Sequence, residues 1–343
     1  MYRILIVGTG SIGERHVRCM QATGRVEVSI CEINDSVRDQ VAARYGVAKD
    51  YASLDQALRD PWDAVVIASP AHTHIPIALQ VADVGVSMLI EKPLSVNLDG
   101  VDELVDYVRK HNLLVAVAYV YRAHPSLQKM KSMIDSGRFG NPLQVAVVSG
   151  QDFSAFRPAY RDTYFNDRKT GGGAIQDALT HYINAVEWLV GPVERVAVDA
   201  AHKVLSDVTV EDTVNMLARH GTVMACYSLN MYQAPSELTM TVVCEGGTLR
   251  FELHKKRFRW KVAPDNPDGL SEWHEIPADA SDLDQWFTSQ EHAFLDALGG
   301  IAPPLCTLAE ATQTLRVNLA ALASADQEGA WCQVAVLEAM GNP

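Results

Sequence analysis

The chain has 343 residues, 48% of them hydrophobic and 21% charged, a length and balance suited to two packed cores rather than one. A formal charge of -13 at pH 7 argues against an electrostatic hold on nucleic acid by the surface as a whole. The cysteines are scattered without a CxxC pair or metal-ligand spacing, so free buried thiols are expected, not a disulfide scaffold or a metal centre.

The chain opens "MYRILIVGTGSIG", an apolar strand running straight into glycines. No basic leader or cleavage site precedes it, and no run approaches the roughly 20 apolar residues of a membrane span, so the cytoplasm is the expected location. "YRILIVGTGSIGERHVRCM" joins that strand to a helix through Gly8, Gly10 and Gly13. In a dinucleotide-binding unit the first glycine permits the turn, the second lets backbone approach pyrophosphate, and the third lets helix pack on strand. Helix-start amides, at Ser11 and Ile12, then hold the anion without a basic side chain.

The next strand, "VEVSICEIN", ends at Glu32, where a carboxylate accepts the ribose hydroxyls and repels a 2'-phosphate. NAD is therefore expected over NADP. A plain glycine turn beside a surface acid would give the same letters, but not the whole strand, helix and acid context.

Helices are expected over "SVRDQVAARYG", "DQALRD", "THIPIALQVADVG" and "NLDGVDELVDYVRKHN", alternating with strands in "WDAVVIAS", "VSMLIEKP" and "LLVAVAYVYR". Such alternation predicts an α/β domain over residues 1–122, a Rossmann-type parallel sheet covered on both faces. Ligands of these sheets lie beyond the carboxyl ends of the strands. Ser69, Pro70 and His74, then Glu91 and Lys92, then Tyr119, Tyr121 and Arg122 all fall there. Pro93 restricts Lys92 to extended backbone, which would aim its ammonium group consistently; a solvated strand end is the plainer alternative.

Beyond Arg122 the pattern changes, and residues 123–343 read as a second, α+β domain. "AHPSLQKMKSMIDSGRFG" is an amphipathic helix with a glycine stop. Strand-like runs from "PLQVAVVSG" to "SELTMTVVCEGGTLRFEL" predict a large, mostly antiparallel open sheet. "HKKRFRWKV" reads as an alternating edge strand, and "TLAEATQTLRVNLAALASAD" as a helix.

"GGGAIQDALTHYINAVEWLVG", residues 171–191, breaks the chain with three glycines and then starts a helix. Asp177 and His181 fall one turn apart on one face of it. A packed core histidine is one reading; a general base oriented by its aspartate is the other. The glycines either turn the loop or let backbone approach a substrate or nicotinamide closely. Just upstream, "GQDFSAFRPAYRDTYFNDRKT" gathers Arg157, Arg161, Arg168 and Lys169 among Phe156, Tyr160, Tyr164 and Phe165. Arginines there would grip a carboxylate or phosphate and rings would cover a sugar face, unless the loop is salt-bridged or packs on a partner subunit.

Taken in order, "GTGSIGERH" with Glu32, "ASPAHTH", "EKP", "YVYRAHP" and "GGGAIQDALTH" make the chain resemble the glucose-fructose oxidoreductase / inositol dehydrogenase / MocA family. That resemblance implies an NAD(P)-dependent dehydrogenase acting on CH-OH groups of a sugar, sugar acid, nucleotide-sugar or cyclitol. Its catalytic lysine, aspartate and histidine carry over to Lys92, Asp177 and His181, with no metal. It implies a homodimer or homotetramer built on the open sheet. Candidate cofactor contacts are Gly8, Gly10, Ser11, Ile12, Gly13, Glu32, Ser69, Pro70, His74, Glu91 and Lys92. Candidate substrate contacts are Lys92, Tyr119, Tyr121, Arg122, Arg157, Tyr160, Arg161, Tyr164, Asp177 and His181, while His74 and His124 have loop-tying as their alternative. The "FRP-YRDTYF" passage tilts the substrate toward an acidic or nucleotide-linked sugar. Two other readings stay open: transient oxidation by bound NAD in a redox-neutral elimination or glycoside cleavage, and an NAD-binding sensor without turnover.

Overall fold

The computed structural model describes residues 1–263, 272–277 and 282–334. The chain divides into two compact units, Met1–Ala123 with Ser281–Thr312, and His124–Ala280 with Gln313–Pro343.

The first unit is built on strands β1 (Tyr2–Val7), β2 (Val26–Cys31), β3 (Asp50–Tyr51), β4 (Ala64–Ile67), β5 (Ser87–Glu91) and β6 (Val115–Ala118). They form one sheet in the order β3-β2-β1-β4-β5-β6, all pairs parallel. Crossover helices bury both faces, which is why these strands are apolar runs and not alternating ones. Ile4, Ile6, Ile30, Ala64 and Val66 are wholly buried, with Val17 and Met20 of helix Ser11–Ala22 packed against them. Each large side chain so buried contributes about 1.5–3 kcal/mol.

A helix that the sequence pattern did not reveal, Leu283–Leu298, belongs to this unit and brings Phe294 and Leu295 into the same core. Asp282 and Gln285 close a capping box at its start, the signal that would have revealed it. The single boundary drawn near residue 122 thus has a return crossing, because this helix finds its apolar partners on the first sheet.

The second unit carries β7 (Pro142–Asp152), β8 (Arg195–Ala201), β9 (Thr213–His220), β10 (Val223–Asn230), β11 (Tyr232–Cys244), β12 (Gly247–Glu252), β13 (Arg257–Val262), β14 (His274–Pro277) and β15 (Cys332–Gln333). Their order is β14-β13-β12-β11-β7-β10-β9-β8-β15. Within this sheet only β10 and β7 pair in parallel among the described strands; the remaining neighbours are antiparallel. "HKKRFRWKV" supplies β13, which lies one strand inside the edge because β14 pairs with it. Alternation marks one covered and one open face: Val214, Met216 and Ala218 are buried, whereas Leu217 is 54% exposed. No described helix is long and apolar enough to cross a membrane.

Candidate active site

The glycine loop shows three different uses of a missing side chain. Gly8 has φ +83° and lies so close to the end of β4 that a Cβ would stand 2.8 Å from the Ser69 amide nitrogen. Gly13 seats the helix on the loop, since a Cβ there would fall 1.8 Å from the Gly8 carbonyl oxygen. Gly10 has nothing within 4 Å of its Cβ position, and no side chain caps the helix that starts at Ser11. Uncapped amides beside open space form an anion cradle. Glu32, beyond the end of β2, accepts from the Thr9 amide at 2.8 Å and the Asn34 amide at 2.9 Å. Those bonds fix the carboxylate beside the loop and leave lone pairs for ribose hydroxyls, so these residues fit a dinucleotide.

Ser69 and Pro70 follow β4, with the Ser69 hydroxyl 2.7 Å from that of Thr73. His74, read as a cofactor contact, is 1% exposed and ties two backbone segments together. Its Nδ1 is 3.0 Å from the Pro93 carbonyl and its Nε2 is 2.8 Å from that of Ser69. Burial pushes its pKa down, outweighing those carbonyls. A neutral ring has one N–H and donates to one of the two at a time. His74 therefore ties the end of β4 to the segment after β5, the loop-tying role.

At the end of β5, Glu91 is buried and Lys92 half-buried, and the Lys92 amide donates to Glu91 Oε2 at 2.9 Å. The Lys92–Pro93 peptide is cis. Tyr119 and Arg122, read as pocket residues, are 1% and 2% exposed. The Arg122 guanidinium donates to the Leu305 carbonyl at 2.9 Å and pairs with Glu310. A buried guanidinium requires such partners, so Arg122 clasps the returning segment of its own unit and is not placed as a substrate ligand. Tyr121 is half-buried, its ring 6.3 Å from that of Trp286.

In the second unit, His124 caps helix Pro125–Asp135 by accepting the Ser126 amide at 3.1 Å. The three-glycine break is filled by the chain itself. A Cβ on Gly172 would stand 2.2 Å from the Phe165 carbonyl oxygen, and one on Gly173, at φ +92°, 2.5 Å from Glu211 Oε1. Close approach to a substrate is thus not what these two glycines provide; they let a loop and a buried carboxylate close over the helix start. Glu211, 2% exposed and overlooked in the sequence, accepts the Ile175 amide at 3.1 Å and the Arg168 guanidinium at 3.0 Å. The acidic pair in "TVEDTVN", set between strand-like runs, was its one visible signal.

From the glycines the chain enters a π-helix over Ile175–Leu179 and then an α-helix over Thr180–Val190, where a single α-helix was expected. Such wider turns cost regular packing and concentrate at functional sites. Ile175, Leu179, Ile183, Val186 and Leu189 are buried as one apolar stripe along the helix, with Ala178 half-buried beside them. Asp177 and His181 are each partly exposed at successive turns. Tyr164 donates to Asp177 Oδ1 at 2.8 Å, which brings one loop residue to the pair.

The rest of that loop turns inward. Tyr160 is 3% exposed and donates to the Ser206 carbonyl at 3.0 Å. Arg161 reaches the Ser206 hydroxyl at 2.7 Å and Asp207 at 3.0 Å, and Arg168 pairs with Glu211 and Asp326. Phe153, Tyr160 and Phe165 form a small aromatic core beneath. Tyr160 and Arg161 are therefore held as loop structure, the salt-bridged reading of this segment, while Arg157 and Lys169 are exposed.

Residues 2–119 match a family described as an oxidoreductase family with an NAD-binding Rossmann fold, and residues 127–250 match the GFO/IDH/MocA C-terminal domain. Levoglucosan dehydrogenase from Pseudarthrobacter phenanthrenivorans is 29% identical over 196 residues, 54% of this chain and 50% of that protein. Inositol 2-dehydrogenase from Ralstonia nicotianae is 29% identical over 194 residues, 55% and 54% of the two chains. The chain spans about half the length of these curated relatives. Among solved structures, levoglucosan dehydrogenase in complex with NADH shares the fold at TM-score 0.89 and 22% identity, covering 98% of this chain and 100% of that one. WlbA dehydrogenase from Bordetella pertussis, in complex with NADH and UDP-GlcNAcA, gives TM-score 0.83 at 25% identity over 97% of each chain. With both domain families matched in order on its two halves, the chain belongs to the GFO/IDH/MocA family of oxidoreductases.

Proposed function

We propose that this protein is an NAD-dependent dehydrogenase that moves hydride between the nicotinamide and a secondary alcohol of a sugar, sugar acid, nucleotide-sugar or cyclitol. The observation that carries the reading is the pair Asp177 and His181 on one helix face, with Asp177 held by Tyr164, in a chain whose other unit presents the glycine cradle, Glu32 and Lys92. Bound NAD supplies the hydride chemistry. His181 takes the hydroxyl proton as general base, and Asp177 fixes its tautomer and ring orientation. Lys92 stabilises the negative charge that develops on the substrate oxygen. Glycine-loop amides hold the pyrophosphate, and the fixed Glu32 carboxylate takes the ribose. Relatives named for levoglucosan and inositol support a carbohydrate-like substrate. Since Arg161 is paired with Asp207 and Arg168 with Glu211 and Asp326, an acidic substrate would be gripped by Arg157 and Lys169.

The test is NADH absorbance with levoglucosan, myo-inositol, glucose, glucuronate and UDP-GlcNAcA, with NAD and NADP run in parallel. Stoichiometric NADH from one substrate class is expected. Glu32→Ala is expected to narrow the preference for NAD over NADP by about tenfold, the loss of one charge-assisted bond. Tight NAD binding without NADH across the panel would count for a redox-neutral enzyme if substrate is consumed, and for a sensor if it is not. An unchanged preference in Glu32→Ala would remove the ribose contact.

The open face of the second sheet carries Val148, Leu217 and Met224, 40%, 54% and 49% exposed, on neighbouring strands. We propose that this face joins copies of the chain in a homo-oligomer. Light scattering is expected to give a mass of two or more chains, and a monomer at micromolar concentration would refute it. All six cysteines are free, which suits a reducing cytoplasm.

A further inference from the structure

Helix Ser11–Ala22 buries one imidazole completely, and the proposed chemistry makes no use of it. His16 lies between two carboxylates from distant parts of its unit, Nδ1 2.5 Å from Glu291 Oε1 and Nε2 2.9 Å from Glu91 Oε1. None of the three is more than 5% exposed. Burial alone would drive the ring neutral, but Glu291 and then Glu91 outweigh it and lift His16 to about 10. At neutral pH the ring is an imidazolium with both N–H groups donating. The second Glu291 oxygen has no hydrogen-bond partner among the described residues, and burial raises the pKa of that carboxyl.

Three ionisable groups with an unsatisfied oxygen are a poor way merely to hold a helix, since apolar side chains of similar volume are often as stable or better. What the cluster does hold is specific. Glu91 gives one oxygen to His16 and the other to the Lys92 amide, so the carboxylate is a rigid link from a buried ring to the backbone of Lys92.

We propose that Glu91, held in place by the His16 ring that Glu291 braces, is a positioning residue for Lys92, acting through its carboxylate bond to the Lys92 amide. The inference rests on the reading of Lys92 as a catalytic group. Its action is geometric: displacement of a reacting group by about 1 Å costs on the order of 100-fold in rate.

The test is a double-mutant cycle in the full chain, with turnover measured on the panel substrate that yields NADH and the Lys92 amide followed by hydrogen exchange. Glu91→Ala is expected to lower kcat by about 10- to 100-fold with KM for NAD within about twofold, and to speed Lys92 amide exchange about tenfold or more. In a Lys92→Ala background the same change is expected to cost less than about twofold, since the group being positioned is gone. Glu91→Gln is expected to recover most of the loss. The glutamine keeps a carbonyl that can accept the Lys92 amide, with its NH2 turned toward His16, whereas alanine keeps neither group.

Equal losses in both backgrounds, or Lys92 exchange unchanged in Glu91→Ala, would overturn the positioning role while leaving Lys92 catalytic. Wild-type kcat in Lys92→Ala alone would instead sink the catalytic reading, and the inference with it. If Glu91→Ala does not fold, Glu291→Gln carries the same cycle with a smaller expected loss, about threefold, present only when Lys92 is present.

Discussion

His181→Ala is expected to lower kcat by about 1,000-fold and Lys92→Ala by about 100- to 1,000-fold, the ranges for a lost general base and a lost oxyanion partner. Both variants are expected to bind NAD within a few-fold of the parent. The separation follows from where the work is done. The pyrophosphate cradle is made of backbone at Gly10 and the start of helix Ser11–Ala22, and the ribose carboxylate is anchored by the Thr9 and Asn34 amides. Neither depends on the Lys92 ammonium or the His181 ring. NADH fluorescence titration gives the affinity, and steady-state turnover on the panel substrate gives kcat. A tenfold or larger loss of NAD affinity in either variant would mean that the residue holds cofactor, and the roles would have to be exchanged. His181→Ala that keeps more than about a tenth of the parent kcat would return the histidine to the packed-core reading.

The parallel sheet was legible because burial on both faces leaves each strand a continuous apolar run. β4 and β6, Ala64–Ile67 and Val115–Ala118, are buried at every position. Gly8 and Gly13 were legible because their use is local: turn, strand and helix all lie within one short stretch. Asp177 and His181 were legible as a spacing, although the π-turn that carries Asp177 was not, since the buried Ile175, Leu179 and Ile183 keep the four-residue spacing that an α-helix would also show. What could not be read depends on partners far along the chain. His16 looks like a surface residue of "GERH" until Glu291, 275 residues away, closes on it. Arg122 looks like a pocket arginine until Glu310 pairs with it. Charge in a sequence marks exposure by default, and only a distant counter-charge reverses that default.

The three-glycine break is the place where the sequence and the fold give opposite expectations for one substitution. If Gly172 served close approach of a substrate, Gly172→Ala would raise KM and leave stability alone. The packing predicts a different result. A Cβ there would stand 2.2 Å from the Phe165 carbonyl oxygen, 2.6 Å from its carbon and 2.8 Å from the Asp167 carbonyl oxygen. All three are backbone atoms, and the Gly172 amide also donates to Asp167 at 2.9 Å, so no flexible side chain can yield. Relief requires moving the loop that carries Tyr164, whose hydroxyl holds Asp177. Forcing an extra methyl into such a contact costs about 1–3 kcal/mol. In a chain of this size that lowers the melting midpoint by about 1–4 °C. The expected signature is a lower Tm together with a fall in kcat, because the Tyr164 to Asp177 bond is disturbed, while NAD affinity is unaltered. Differential scanning calorimetry and turnover on the same preparation check both at once. An unchanged Tm with a raised substrate KM would restore the substrate-approach role that the glycines first suggested.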